Sequence, residues 1–106
     1  MGHFDLPRDV HEAVCFYCRS FHRREYIMRE ALCTISIRAA YSAINNSILD
    51  GAGLEYGEEM RRIIIEDIGS GRGWSRSPAC VMLCEKSYKN YKREAKWRIA
   101  KRLGLL

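Results

Sequence analysis

The stretch CFYCRSFH places three metal-ligating side chains, Cys15, Cys18 and His22, within about two helical turns, and Cys80 with Cys84 adds two more further along. A structural zinc ion normally takes four ligands, often as well-spaced pairs drawn from separate elements. These cysteines also lie on or beside apolar helix faces, where a free cysteine behaves as a small hydrophobe. That placement favours buried thiols: no metal is expected, and Cys15, Cys18 and His22 stay as candidate ligands only. Cys33 has no partner close in sequence and reads as core. Five cysteines are an odd number, and the N-terminus runs straight into the charged DLPRDVHEAV. Reduced thiols in a cytoplasmic protein without a signal peptide are the expectation.

Catalysis finds little support. His3, His11 and His22 all fall early in the chain, so a Cys–His nucleophile pair is available on paper. No orienting third residue and no oxyanion-forming glycine motif accompanies it. The glycine-rich GSGRG at 69–73 lacks the Lys-Ser/Thr of a phosphate-binding loop and follows no strand. The sequence therefore predicts a protein that is not an enzyme and takes no cofactor.

The strongest chemical signal is charge. Residues 84–106, CEKSYKNYKREAKWRIAKRLGLL, hold eight Lys/Arg and two acids, whereas residues 1–83 hold ten and eleven. The net +5 of the chain is thus a basic excess confined to its last segment. Such a patch is the footprint of a polyanion, because neutralised phosphates release their counterions. A solvated helix face that binds nothing produces the same composition, so spacing must separate the two.

The elements that would position these residues read as helices. Asp5 is the expected cap of a first helix with Pro7 in its opening turn. Val10, Val14, Tyr17 and Phe21 recur at helical spacing; Met28, Leu32 and Ile35 extend the stripe after a polar gap at Arg24 and Glu25. A second stripe, Ile37, Tyr41, Ile44 and Ile48, ends at the glycines of DGAG, 50–53. A third helix spans GEEMRRIIIEDIG, with Met60, Ile64 and Ile68 inward and Glu58 and Glu59 at its N-terminus. The breaker-rich GSGRGWSRSP is a loop, ACVML a short apolar helix, and the basic segment a long last helix. No run nears the roughly 20 apolar residues of a membrane span. One all-α domain is expected, a small bundle whose residues 1–50 form a helical scaffold and whose residues 57–106 form a helix-turn-helix-like unit.

In the last helix Tyr88, Tyr91, Ala95, Ile99 and Leu103 mark an inward face, while Lys86, Lys89, Arg93 and Lys96 step along another. That is the layout of a recognition helix, whose N-terminal residues meet base edges in the major groove. Lys86, Ser87, Lys89 and Asn90 are the candidate base readers, with Lys92, Arg93 and Lys96 on phosphates. Arg72 and Arg76 flank Trp74 and extend the phosphate-contacting surface; Trp74 itself reads as a plug over the core.

The same segment resembles the C-terminal signature of phage transcriptional regulators of the ArpU/RinA type. Ser87, Tyr88 and Lys92 fall on that pattern's Thr, first Tyr and Lys, and Ala100, Leu103, Gly104 and Leu105 supply its ending. The order AINNSIL, EEMRRIIIEDI, basic helix is similar to a sigma-factor region 4. Cys84 stands where the family has a capping Ser, Lys89 stands at the second Tyr, and SPACVML matches the first half of the motif poorly. The resemblance implies double-stranded DNA as partner and contact with RNA polymerase. The N-terminal helices are expected to serve as a scaffold for a homodimer partner or the polymerase. Two further readings stand beside it: a small phage-encoded protein that inhibits a host protein through the basic helix, and a zinc-stabilised interaction module.

Overall fold

A proline with extended ψ opens the first helix. In the computed structural model, which describes residues 3–106, Pro7 (φ −54°, ψ 151°) is the boundary residue of α1 (Arg8–Arg19). Pro7, expected inside the first turn, lies outside it; its carbonyl accepts the first helical bond, from His11 N–H at 2.9 Å. Four more α-helices follow: α2 (Phe21–Arg29), α3 (Ile35–Ala52), α4 (Glu58–Ser70) and α5 (Glu85–Arg102). Two 3-10 turns, Trp74–Arg76 and Pro78–Val81, lie between α4 and α5, and the described residues contain no strand.

The long first stripe resolves into two helices, and the break is not at the polar gap. The chain bends at Ser20, whose hydroxyl donates to the Phe16 carbonyl at 3.1 Å, a back-bond that competes with the helix ladder. Val14, Cys18 and Phe21 are buried as the spacing requires. The expected continuation fails: α2 ends at Arg29, and Leu32 and Ile35 are 95% and 85% exposed. Thr34 starts a new helix there, its Oγ1 accepting from Ile37 N–H at 3.2 Å. Cys33, expected in the core, is only half-buried in that connection.

Arg24, within the polar gap, is buried. It occupies the next stripe position after Phe21 and donates from Nε to Asn45 Oδ1 at 2.7 Å and from Nη2 to the Tyr17 carbonyl. Asn45 is buried in turn and donates to the Phe21 carbonyl at 3.2 Å. This polar pin joins α1, α2 and α3, and burial pushes the Arg24 guanidinium below its ordinary pKa.

Two close helix crossings set the architecture: α3 packs on α5, and α1 on α4. Each uses a glycine in the last turn of one helix. A Cβ on Gly51 would lie 2.8 Å from the Ile99 Cα and N; one on Gly69 would lie 2.6 Å from the Arg19 N. Beside each glycine an arginine of the crossing helix satisfies carbonyls left open by the helix end. Arg98 Nε donates to the Gly51 carbonyl at 2.7 Å, and Arg19 Nε to the Gly69 carbonyl at 3.0 Å. The core filling these crossings includes Ile48, Ile64, Ile68, Tyr88 and Ile99, drawn from α3, α4 and α5, with Val14 of α1.

α5 ends in a Schellman arrangement. Gly104 adopts φ 76°, Leu105 N–H bonds the Ala100 carbonyl at 2.9 Å, and Gly104 N–H bonds that of Lys101 at 3.2 Å. Leu103 and Leu105 fold back onto the core. The closing Ala-x-x-Leu-Gly-Leu is thus a helix stop with a physical purpose of its own.

Candidate nucleic-acid interface

Tyr88, Tyr91, Ala95 and Ile99 anchor α5 by its buried face. At 100° per residue, Lys86, Lys89, Asn90 and Arg93 point to the opposite side, and all four are exposed. Lys89 pairs with Glu85 at 2.9 Å, an exposed i,i+4 contact that competes only weakly with other anions. Lys86 and Arg93 make no ion pair among the described residues. Ser87 is half-buried one turn from the helix start, where its hydroxyl lies 3.3 Å from Cys84 Sγ.

Other basic residues of the candidate set are used internally. Arg72 turns inward: its Nε and Nη2 lie 2.7 and 2.6 Å from Asp67 Oδ1, and the Asp67 side chain is 0% exposed. Tyr88 Oη donates to Asp67 Oδ2 at 2.7 Å and lies 3.2 Å from the Arg72 carbonyl. Lys92 Nζ donates to the same carbonyl at 2.8 Å. The carboxylate therefore collects three charge-assisted or phenolic donors and fixes the loop against α5. Tyr88 is held well above its ordinary pKa by burial and by its bond to Asp67. Lys92 lies below the usual lysine range through burial and then the charge of Lys96. Lys96, half-buried, also lowers His11 of α1, after burial has done most.

Arg76 is exposed in the first 3-10 turn, and Trp74 closes the loop over the core, its Nε1 donating to the Leu83 carbonyl at 2.8 Å. Trp97 meets the His3 ring at a tilt and Phe4 edge-on, with Lys101 Nζ 5.4 Å from its ring. The short helix expected at SPACVML is a single 3-10 turn, Pro78–Val81, started by Pro78 and by Ser77 Oγ accepting from Ala79 N–H at 3.0 Å. Three residues, 82–84, then lead into α5. Ala79 is buried, whereas Val81 and Met82, which precede α5 in the chain, are exposed.

The candidate zinc ligands are not brought together. Cys15 Sγ lies 3.6 Å from His11 Nε2, Cys18 is buried, and His22 pairs with Glu25 at 3.1 Å on the surface. No group of three or more His, Cys, Asp or Glu among the described residues is arranged to hold a metal ion. Cys18 is pushed up to about 12 by burial, whereas exposed Cys84 at the α5 N-cap is lowered by its bond to the Ser87 hydroxyl and then the Ser87 N–H.

Sequence reasoning missed the Asp67–Tyr88–Arg72 network. Its signal was present: Asp67 follows Met60 and Ile64 at inward spacing inside IIIEDIG, a position where an acid must find partners.

No family model, curated protein or solved structure matches the chain. What the fold and site define is a small all-α protein with a basic helix face. Among the described residues no helix is long and apolar enough to cross a membrane.

Proposed function

We propose that this chain binds double-stranded DNA as a transcriptional regulator, laying the N-terminal half of α5 in the major groove. The observation that carries this reading is the exposed quartet Lys86, Lys89, Asn90 and Arg93, set on a helix whose other face is anchored in the core. Lysine and arginine suit guanine edges and phosphates, and asparagine suits adenine. Arg76 and Lys96 extend the phosphate contacts, while Arg72 and Lys92 act through the loop they brace. The resemblance of residues 84–106 to ArpU/RinA-type phage regulators supports the same reading, with RNA polymerase as a second partner.

Fluorescence anisotropy with a pool of duplexes across a salt series tests it. The wild type should bind with a steep salt slope and enrich one sequence. Lys89→Ala with Arg93→Ala should weaken binding and flatten the slope by about 0.9 for each phosphate no longer neutralised. Affinity unchanged for every duplex would remove α5 as the reader.

A second reading, in which α5 binds and inhibits an acidic host protein, has one feature in its favour. Val81 and Met82, 86% and 46% exposed, put apolar surface in the segment that leads into the basic helix, a mixture suited to a protein partner. Weak, sequence-blind DNA binding together with tight capture of one host factor would decide for it.

A further inference from the structure

We propose that the cavity between α1–α2 and α3 binds a small aromatic carboxylate, pairing its charge with the buried guanidinium of Arg24. The cavity lies at the α1–α2 bend and holds about 360 Å³, within the roughly 300–1,000 Å³ of small-molecule sites. Phe16, Tyr17, Tyr41, Ile27 and Ile44 line it, and Ser20, Arg23 and Arg24 form its polar wall.

Arg24 is the residue that points to an anion. Only 5% of it is exposed, and an arginine that deep is ordinarily paired with an acid. Here its partners are neutral. Nε donates to Asn45 Oδ1, Nη2 donates to the Tyr17 carbonyl, and the Tyr17 ring lies 5.9 Å from the guanidinium carbon. Glu25, next in sequence, turns instead to His22 at 3.1 Å and Arg62 at 3.9 Å. Burial accordingly lowers the Arg24 pKa, and no described Asp or Glu stands among the groups that offset it. The bonds at Nε and Nη2 hold the guanidinium in place and leave Nη1 without a described partner, on a residue that lines the cavity. Arg23, beside it, is exposed and makes no ion pair among the described residues. A carboxylate suits this pair of guanidiniums, because a charge-assisted bond to a preset donor is strong. An aromatic ring suits the remaining wall, where Phe16, Tyr17 and Tyr41 offer edge and face contacts.

The cavity is built from α1, α2 and α3 and its test uses no DNA, so its failure leaves the reading of α5 untouched. Benzoate, naphthoate and indoleacetate, each beside its uncharged primary amide, are titrated into the full chain by calorimetry, and backbone amide shifts in NMR locate the site. At least one acid should bind about tenfold or more tighter than its amide. The shifts should centre on residues 16–27 and 41–44. Arg24→Gln should abolish the preference for acid over amide. Because it also breaks the bond to Asn45, Phe16→Ala and Arg23→Gln carry the test if it unfolds, since both side chains are exposed and helicity should hold. Each of these two should weaken the acid by about threefold or more. No acid bound at about 1 mM, acid and amide bound alike, or shifts on the basic face of α5 instead would each overturn the proposal. An acidic helical peptide that occupies the cavity when none of the acids does would also overturn it and assign the site to a protein partner.

Discussion

Asp67 offers the sharpest test of how the basic helix is held. Asp67→Ala removes a carboxylate that accepts from Arg72 Nε at 2.7 Å, contacts Arg72 Nη2 at 2.6 Å and accepts from Tyr88 Oη at 2.7 Å. Deleting one member of a buried ion pair costs roughly 3–5 kcal/mol, because the other charge is left uncompensated. The Arg72 side chain is 28% exposed and can turn to water, which argues for the lower end. A loss of about 3 kcal/mol follows, or a fall in Tm on the order of 12 °C or more for a domain of this size. Asp67→Asn keeps the shape and one acceptor oxygen and should cost about half as much. Tyr88→Phe removes a single bond to a charged acceptor, about 1.5 kcal/mol. Because the two residues touch, the Asp67→Asn/Tyr88→Phe double variant should lose less than the sum of the singles. Urea and thermal denaturation followed by circular dichroism read all four variants. If Asp67→Ala lowered Tm by less than about 4 °C, the contact would be no stronger than a surface ion pair, and the bracing role assigned to it would be wrong.

Gly51→Ala forces a methyl to within 2.8 Å of the Ile99 backbone, which cannot rotate away, and should cost about 1–3 kcal/mol in urea denaturation. Stability should decline at alkaline pH. Tyr91, pushed up to about 12 by burial and the charge of Glu55, and Cys18, pushed up to about 12 by burial, keep their protons longer folded than unfolded. Their contribution is complete below the ordinary values of 9.0 and 10.0 and is lost as pH rises through about 12; Lys92 and Arg24, lowered by burial, offset part of it. Tyr91→Phe should flatten that decline and raise stability by about 1 kcal/mol, since Tyr91 Oη is buried without a hydrogen-bond partner. A loss at neutral pH would mean that the hydroxyl has one. Iodoacetamide at neutral pH should label Cys84 first and Cys18 last, and equal rates by mass spectrometry would contradict the N-cap environment described for Cys84.

Local signals were legible in the sequence. Glycines near 50–53 end α3, Glu58 and Glu59 open α4, and the spacing of Tyr88, Tyr91, Ala95 and Ile99 gives the buried face of α5. Such features need only a residue and its neighbours within a turn or two. Residues whose role depends on a remote partner were read less well. Arg24 looked like a polar gap because its partner Asn45 lies 21 positions away, and Leu32 and Ile35 looked like core because periodicity cannot say where a bundle runs out.

For the candidate site the division follows the same physics. The sequence by itself determined that the last helix is basic, where its apolar face lies, and which side chains oppose that face, because a fixed 100° per residue needs no tertiary knowledge. Only the tertiary structure decided which of its charges are available. Arg98 is drawn to the Gly51 carbonyl and Glu55, Lys92 to the Arg72 carbonyl, and Arg72 to Asp67, leaving Lys86, Lys89, Asn90 and Arg93 facing outward. A long basic side chain goes to the nearest unsatisfied oxygen, and where that oxygen lies is set by helix crossings and loops far along the chain.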